Sequence, residues 1–237
     1  MDEPRVIAET PDFLVIEKPA GLLVHPGPHS GDETTLTAWL LKRYPEIGKV
    51  GDEPETRPGI VHRLDRGTSG VMLVPRTREA FAQLKDLFQS REITKEYRAL
   101  VHGAMYPAEG RIDRAIGIKP HTTKRSVFSD QMSKPAVTRY TTIEQLKSIA
   151  HVAAFPETGR THQIRVHLSS LGHPILGDTI YAPKRKEPAV TRLMLHAHKI
   201  SFAFAGTDHV FVSPMPVAFE ETLEQMRAEG AEADMVK

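Results

Sequence analysis

The sequence predicts an α+β protein dominated by mixed or antiparallel sheet with flanking helices. Two observations carry that expectation. Short apolar and β-branched runs alternate along the chain with short helical patterns. Neither internal repeats nor low-complexity stretches interrupt them. Of the 237 residues, 40% are hydrophobic, enough for a substantial core in one or two lobes.

A strand is expected over residues 13–17, closed by Lys18-Pro19-Ala20-Gly21, where Pro and Gly punctuate. Residues 35–44 read as a helix with Leu36, Trp39 and Leu40 on one side, which assigns Trp39 to the core. Residues 48–58 form a mostly polar loop containing Gly51, Pro54 and Pro58. Val71-Met72-Leu73-Val74 is a buried strand, and Pro75 marks its end or edge. Residues 78–88 place Phe81, Leu84 and Phe88 at i, i+3 and i+7, an amphipathic helix with Thr77 as N-cap. Along residues 94–101, Tyr97, Ala99 and Val101 share one strand face. Residues 111–116, 136–143 and 149–155 read as three further strands, with a polar, basic loop at 117–133. Residues 161–171 read as a helix burying Ile164, Leu168 and Leu171, with His162 one turn from Arg165. Late strands at 193–204 and 210–212, a terminal helix at 217–228 and a frayed tail at 230–237 complete the order.

Composition narrows the chemistry. The chain has no cysteine, so disulfides and thiolate metal sites are excluded, which fits a cytoplasmic protein. No apolar run has the length of a membrane span, and Met1-Asp2-Glu3-Pro4 is unlike the basic start of a signal peptide. Net charge is only +1, but it is unevenly spread. Between Arg57 and Arg139 there are 16 Lys and Arg against 8 Asp and Glu, while residues 217–237 hold 2 against 6. A basic middle is the footprint of phosphate contacts if its charges cluster, and an ordinary solvated surface if they scatter.

The most informative stretch is His62-Arg63-Leu64-Asp65-Arg66-Gly67-Thr68-Ser69-Gly70. It sets one carboxylate between two arginines, among turn formers, just before a buried strand. A neighbouring guanidinium favours the ionised acid. Such an Asp is either a held catalytic carboxylate or one half of a surface ion pair. Seven histidines lie in or beside the informative segments: His25, His62, His162, His167, His173, His196 and His198. His162 and His167 are spaced poorly for one helical face, and no His-Glu-x-x-His occurs, so no metal is expected.

The Asp65 segment resembles the HRLD-x-x-T-S-G signature of the RluA-type pseudouridine synthase family. Three more segments are similar to that family in the same order: residues 12–26, residues 95–103 around Tyr97, and Thr158-Gly159-Arg160-Thr161-His162-Gln163-Ile164-Arg165 continuing to Asp178. Leu195-His196-Ala197-His198 is a weaker fifth match. Together they span nearly the whole chain, with no room before them for the small N-terminal S4 domain some relatives carry. The resemblance implies the pseudouridine synthase fold, a long bent sheet with a central cleft, as a single catalytic domain over residues 1–237 with two sub-lobes. It implies an isomerase acting on uridine in structured RNA, ribosomal or transfer, as a monomer without a cofactor.

By the same resemblance, Asp65 is the catalytic carboxylate, Tyr97 the active-site tyrosine and Arg165 the arginine that pairs with the aspartate. Arg63 contacts phosphate or helps flip the base. His62, Arg66, Thr68, Arg160, His162 and Gln163 join it as substrate-binding residues. The basic 117–133 loop and the basic residues 183–188 are candidate RNA contacts beside plainer readings as solvated loops. Two rival functions are weighed. A non-catalytic RNA-binding or ribosome-assembly protein on the same scaffold predicts loss of Asp65, Tyr97 or Arg165, and all three are present. A glycoside hydrolase needs a second carboxylate. Asp178 is the one available, and its setting reads as a turn.

Overall fold

The computed structural model describes residues 2–27, 31, 33–120, 122, 124–182 and 190–235, with side chains to residue 229. In chain order the elements are β1 (Arg5–Glu9), β2 (Phe13–Lys18), α1 (Leu36–Arg43), β3 (Ser69–Pro75), α2 (Arg78–Gln89), β4 (Thr94–His102) and β5 (Glu109–Asp113). They continue with β6 (Gly117–Ile118), β7 (Arg125–Ser126), β8 (Val137–Gln145), β9 (Ile149–Pro156), α3 (Gln163–Ser170), β10 (Leu195–Phe204), β11 (Thr207–Val212) and α4 (Val217–Met235). A 3-10 turn, Pro45–Lys49, follows α1. The expected α+β class is observed. The chain divides into two compact units, one of residues 1–95 and 197–214, the other of residues 96–196 and 215–237.

In the first unit the strand order is β1-β2-β3-β10, and β11 pairs with β10. β3 is buried along its whole length because both of its edges are paired and both faces covered. That is why Val71–Val74 reads as a continuous apolar run instead of alternating. Pro75 closes the strand, opposite Phe13 of β2. Phe13 packs edge-on against Phe202 and Phe204 of β10, at 5.6 and 5.3 Å between ring centroids. Thr77 caps α2 as expected, its hydroxyl accepting the Ala80 N–H, and Thr35 caps α1 the same way through Ala38.

In the second unit β4, β9, β8 and β5 form an antiparallel sheet. Its core gathers Leu100, Val152, Ile164, Leu168, Ile175, Met194 and Phe219. α3 begins at Gln163, two residues later than expected. Its N-cap, His162, sits in the left-handed region at φ 57°. Residues 117–133, expected as a loop, carry the two-stranded hairpin β6–β7. The strand expected at 111–116 is shifted to Glu109–Asp113, and Ile116 makes an isolated bridge to Lys134. α4 extends seven residues past the expected end at 228, into the stretch expected to fray. β1 was not expected, because Val6-Ile7-Ala8 offers too short an apolar run. His121 and residues 183–188 lie outside the described residues.

Candidate active site

In the first unit, Asp65 lies on the loop entering β3. Its carbonyl accepts the Thr68 N–H at 3.1 Å, closing a tight turn. Three contacts fix the flanks of that turn. Lys18 is fully buried, and its ammonium donates to the carbonyls of Pro19, Leu22 and Arg66 at 2.8, 2.9 and 3.3 Å. It therefore stitches the residue 19–22 loop to the residue after Asp65. The Gly21 N–H donates to the Arg66 carbonyl, and the Arg66 guanidinium returns a bond to the Gly21 carbonyl and pairs with Glu33.

His62 supplies the third contact. Its Nε2 accepts the Leu73 N–H of β3 at 2.9 Å, and its ring lies 4.6 Å from that of Phe88. The residue keeps some exposed edge, but the ring itself is enclosed. Burial, with a smaller push from the nearby Lys95 charge, takes its pKa down to about 3. A neutral imidazole is what an acceptor role at Nε2 requires. Burial likewise lowers Lys95 to about 8, with its ammonium 5.7 Å from the Phe88 ring centroid. Arg63 is exposed and donates to Nε2 of His25, whose Nδ1 faces the Pro26 carbonyl. Thr68 is buried.

The second unit holds the other named residues. Tyr97 sits half-buried on β4 opposite Ala154 of β9, packed against the core. Arg165 is buried on α3 and makes a two-pronged pair with Asp178: Nε to Oδ2 at 2.8 Å and Nη2 to Oδ1 at 2.9 Å. The Asp178 carboxylate also accepts the Ile180 and Tyr181 N–H groups. Burial alone would raise its pKa. The Arg165 bonds and charge and the two amides outweigh that and hold it below the ordinary value. The Tyr181 ring lies 5.2 Å from the Arg165 guanidinium, and its hydroxyl meets His162 Nδ1 at 2.9 Å. Gln163 is buried and engaged on both sides: its Oε1 accepts from Thr158 and Arg160, and its Nε2 donates to Val137 and Thr138. Arg160 is exposed, with Nε on the Pro135 carbonyl.

The structure thus gathers His62, Arg63, Asp65, Arg66 and Thr68 in one unit, and Tyr97, Arg160, His162, Gln163 and Arg165 in the other. Asp178, weighed from sequence as a hydrolase carboxylate or a turn residue, is committed to Arg165 and two backbone amides. Its partner is 13 residues away across a turn, beyond any helical or strand periodicity. Lys18 was also missed, because nothing local marks a lysine as the hub of three carbonyls. Among the described residues, no three His, Cys, Asp or Glu side chains gather as a metal site, and no helix is long and apolar enough to cross a membrane.

The chain matches the RNA pseudouridylate synthase family model over residues 12–170. It belongs to that family. It is 39% identical to ribosomal large subunit pseudouridine synthase D of Vibrio vulnificus, over 96% of this chain and 72% of that protein. To the protein of the same name from Yersinia pestis it is 45% identical over 77% of this chain and 54% of that one. Among solved structures, human RNA pseudouridylate synthase domain containing 1 superposes with a TM-score of 0.73 at 26% identity, covering 95% of each chain. The chain is therefore an RNA pseudouridine synthase, an isomerase, with the fold its sequence resemblance implied.

Proposed function

We propose that this synthase isomerises uridines of large-subunit ribosomal RNA, with Asp65 as the essential carboxylate. The observation that carries the assignment is the bracing of the loop around Asp65 by Lys18, Arg66 and His62, which holds the backbone that carries one carboxylate. The ribosomal substrate is supported by the names of the relatives described above. Its cysteine-free composition suits the cytoplasm, where that RNA resides.

In the isomerisation the C1′–N1 bond breaks, the freed uracil turns, and a C1′–C5 bond forms. The C5 proton leaves and N1 gains one, so no atom or electron enters from outside. Positive character builds at C1′, where Asp65 acts. Tyr97 stacks on the flipped base, a contact worth about 1–3 kcal/mol, and in this reading its phenol takes the C5 proton. Arg165 takes the role the resemblance gives it, the arginine partner of the catalytic aspartate. Arg63, exposed beside that loop, meets the phosphates or the displaced base. His62, Thr68 and Gln163 serve the substrate indirectly, by holding the backbone that carries the contacting residues.

The test is tritium release from RNA labelled at uridine C5, using ribosomal and transfer RNA from cells lacking this protein. Wild type should release tritium from large-subunit RNA and Asp65→Asn should release none. Release by the variant at the wild-type rate would remove Asp65 from its role. Release from transfer RNA alone would overturn the ribosomal assignment.

A further inference from the structure

A cavity of about 260 Å³ opens in the second unit beside the β6–β7 hairpin. Arg125, Lys134 and Arg160 line it, with Ile116 and Ile118 as an apolar wall and Thr161 contributing a hydroxyl. No carboxylate is among its lining residues. Three cations around one small concavity repel one another unless an anion joins them.

Two features mark the cavity as built to receive a ligand. The Arg125 Nε is buried and has no hydrogen-bond acceptor. A buried guanidinium donor in that state is unfavourable, and the Arg125 side chain lines the cavity. The Arg125 backbone is held in place by a bond from its N–H to the Tyr181 hydroxyl at 3.2 Å. That same hydroxyl contacts His162, and the Tyr181 ring lies on Arg165. The cavity and the Arg165–Asp178 pair are therefore tied through one side chain. Met132, which also lines the cavity, is 68% exposed, and Phe128, two residues past β7, is 84% exposed. Exposed apolar side chains interleaved with Lys119, Lys124 and Lys134 are the composition of a surface that binds unpaired RNA.

We infer that this cavity binds a backbone phosphate of the RNA substrate, at a nucleotide other than the target uridine. The inference rests on the proposed action on RNA and adds to it a subsite that positions the strand while leaving the chemistry to Asp65. Phosphate contacts of this type set register and carry the salt dependence of binding.

The experiment compares wild type with Arg125→Gln, Lys134→Gln and the double variant. Tritium release from large-subunit RNA gives kcat and KM over a salt series, and anisotropy of a labelled fragment of that RNA gives Kd without turnover. Circular dichroism melts check folding. If Arg125→Gln fails to fold, the exposed Lys134→Gln carries the comparison alone. The double variant should raise KM and Kd roughly tenfold at low salt, leave kcat within about twofold, and flatten the slope of log Kd against log salt by about one. Folded variants with wild-type KM, Kd and slope would overturn the phosphate site. If wild type releases no tritium while Kd still responds to the double variant, the catalytic reading falls and the phosphate site stands.

Discussion

Asp178 is a carboxylate with no solvent and no freedom. Its four hydrogen bonds come from Arg165 and from two backbone amides, and the pair lies in the core of its unit. Removing one partner of such a pair strands the other charge, at about 3–5 kcal/mol. Asp178→Asn keeps the shape and the amide-facing oxygen but loses the charge that fixes the guanidinium. On the proposed role of Arg165, it should lower kcat for tritium release by about 10²-fold with KM changed little, since displacing that arginine would affect the transition state more than RNA binding. Asp178→Glu, with the charge restored, should recover part of that loss. Equal losses in both variants, tracking a common drop in melting temperature, would reduce Asp178 to a structural role. Motif resemblance drew attention to this residue, but its function was not legible in sequence, because the bond that defines it closes across a turn.

At the scale of elements, most of what the sequence displays as period or punctuation was formed as read. α2 with its Thr77 cap, the buried run of β3 and the apolar stripe of α3 all rest on local rules of spacing. The misses share a cause in tertiary support. The β6–β7 hairpin holds only two residues per strand, and β1 is a short edge strand whose register is set by β2. α4 outlasts its expected end despite Gly230. Two glycines separate local strain from tertiary contact. Gly70 sits at φ 119° in β3, and a Cβ there would collide with the Ala197 backbone of β10. Gly206, at φ 78° in the β10–β11 turn, has nothing within 4 Å. Gly70→Ala should therefore lose at least ~2–3 kcal/mol of unfolding free energy, and Gly206→Ala about 1. Urea titration of the two variants reads both. Equal losses would mean that β10 gives way to the methyl group, and that the close approach of the strands does not constrain position 70.

For the whole chain, three histidines shape how stability depends on pH. His62 is lowered to about 3, and His25 and His167 are lowered as well, each first by burial. All three already act as hydrogen-bond acceptors or backbone partners in their own units, His167 to Thr138 and Arg114, His25 to Pro26 and Arg63. In the unfolded chain each takes up a proton near pH 6.5, and in the folded chain each resists it. The unfolded state then binds more protons below that value, so stability is fully present above pH 6.5 and falls as pH drops toward the folded pKa. For His62 alone the window runs from 6.5 to about 3, with a limiting slope near 1.4 kcal/mol per pH unit. Asp178, also lowered, loses its contribution further down, below its ordinary carboxylate range. Lys95 acts at the other end: lowered to about 8, it adds stability as pH rises from there toward 10.5. The urea midpoint should thus fall steadily from pH 6.5 to 4.5. His62→Gln, whose side-chain carbonyl still accepts the Leu73 N–H, should show a shallower fall over the same range. A midpoint flat from 6.5 to 4.5 in wild type, or an unchanged slope in the variant, would mean that the His62 ring takes its proton freely in the folded state and that the bond to β3 does not hold the Asp65 loop.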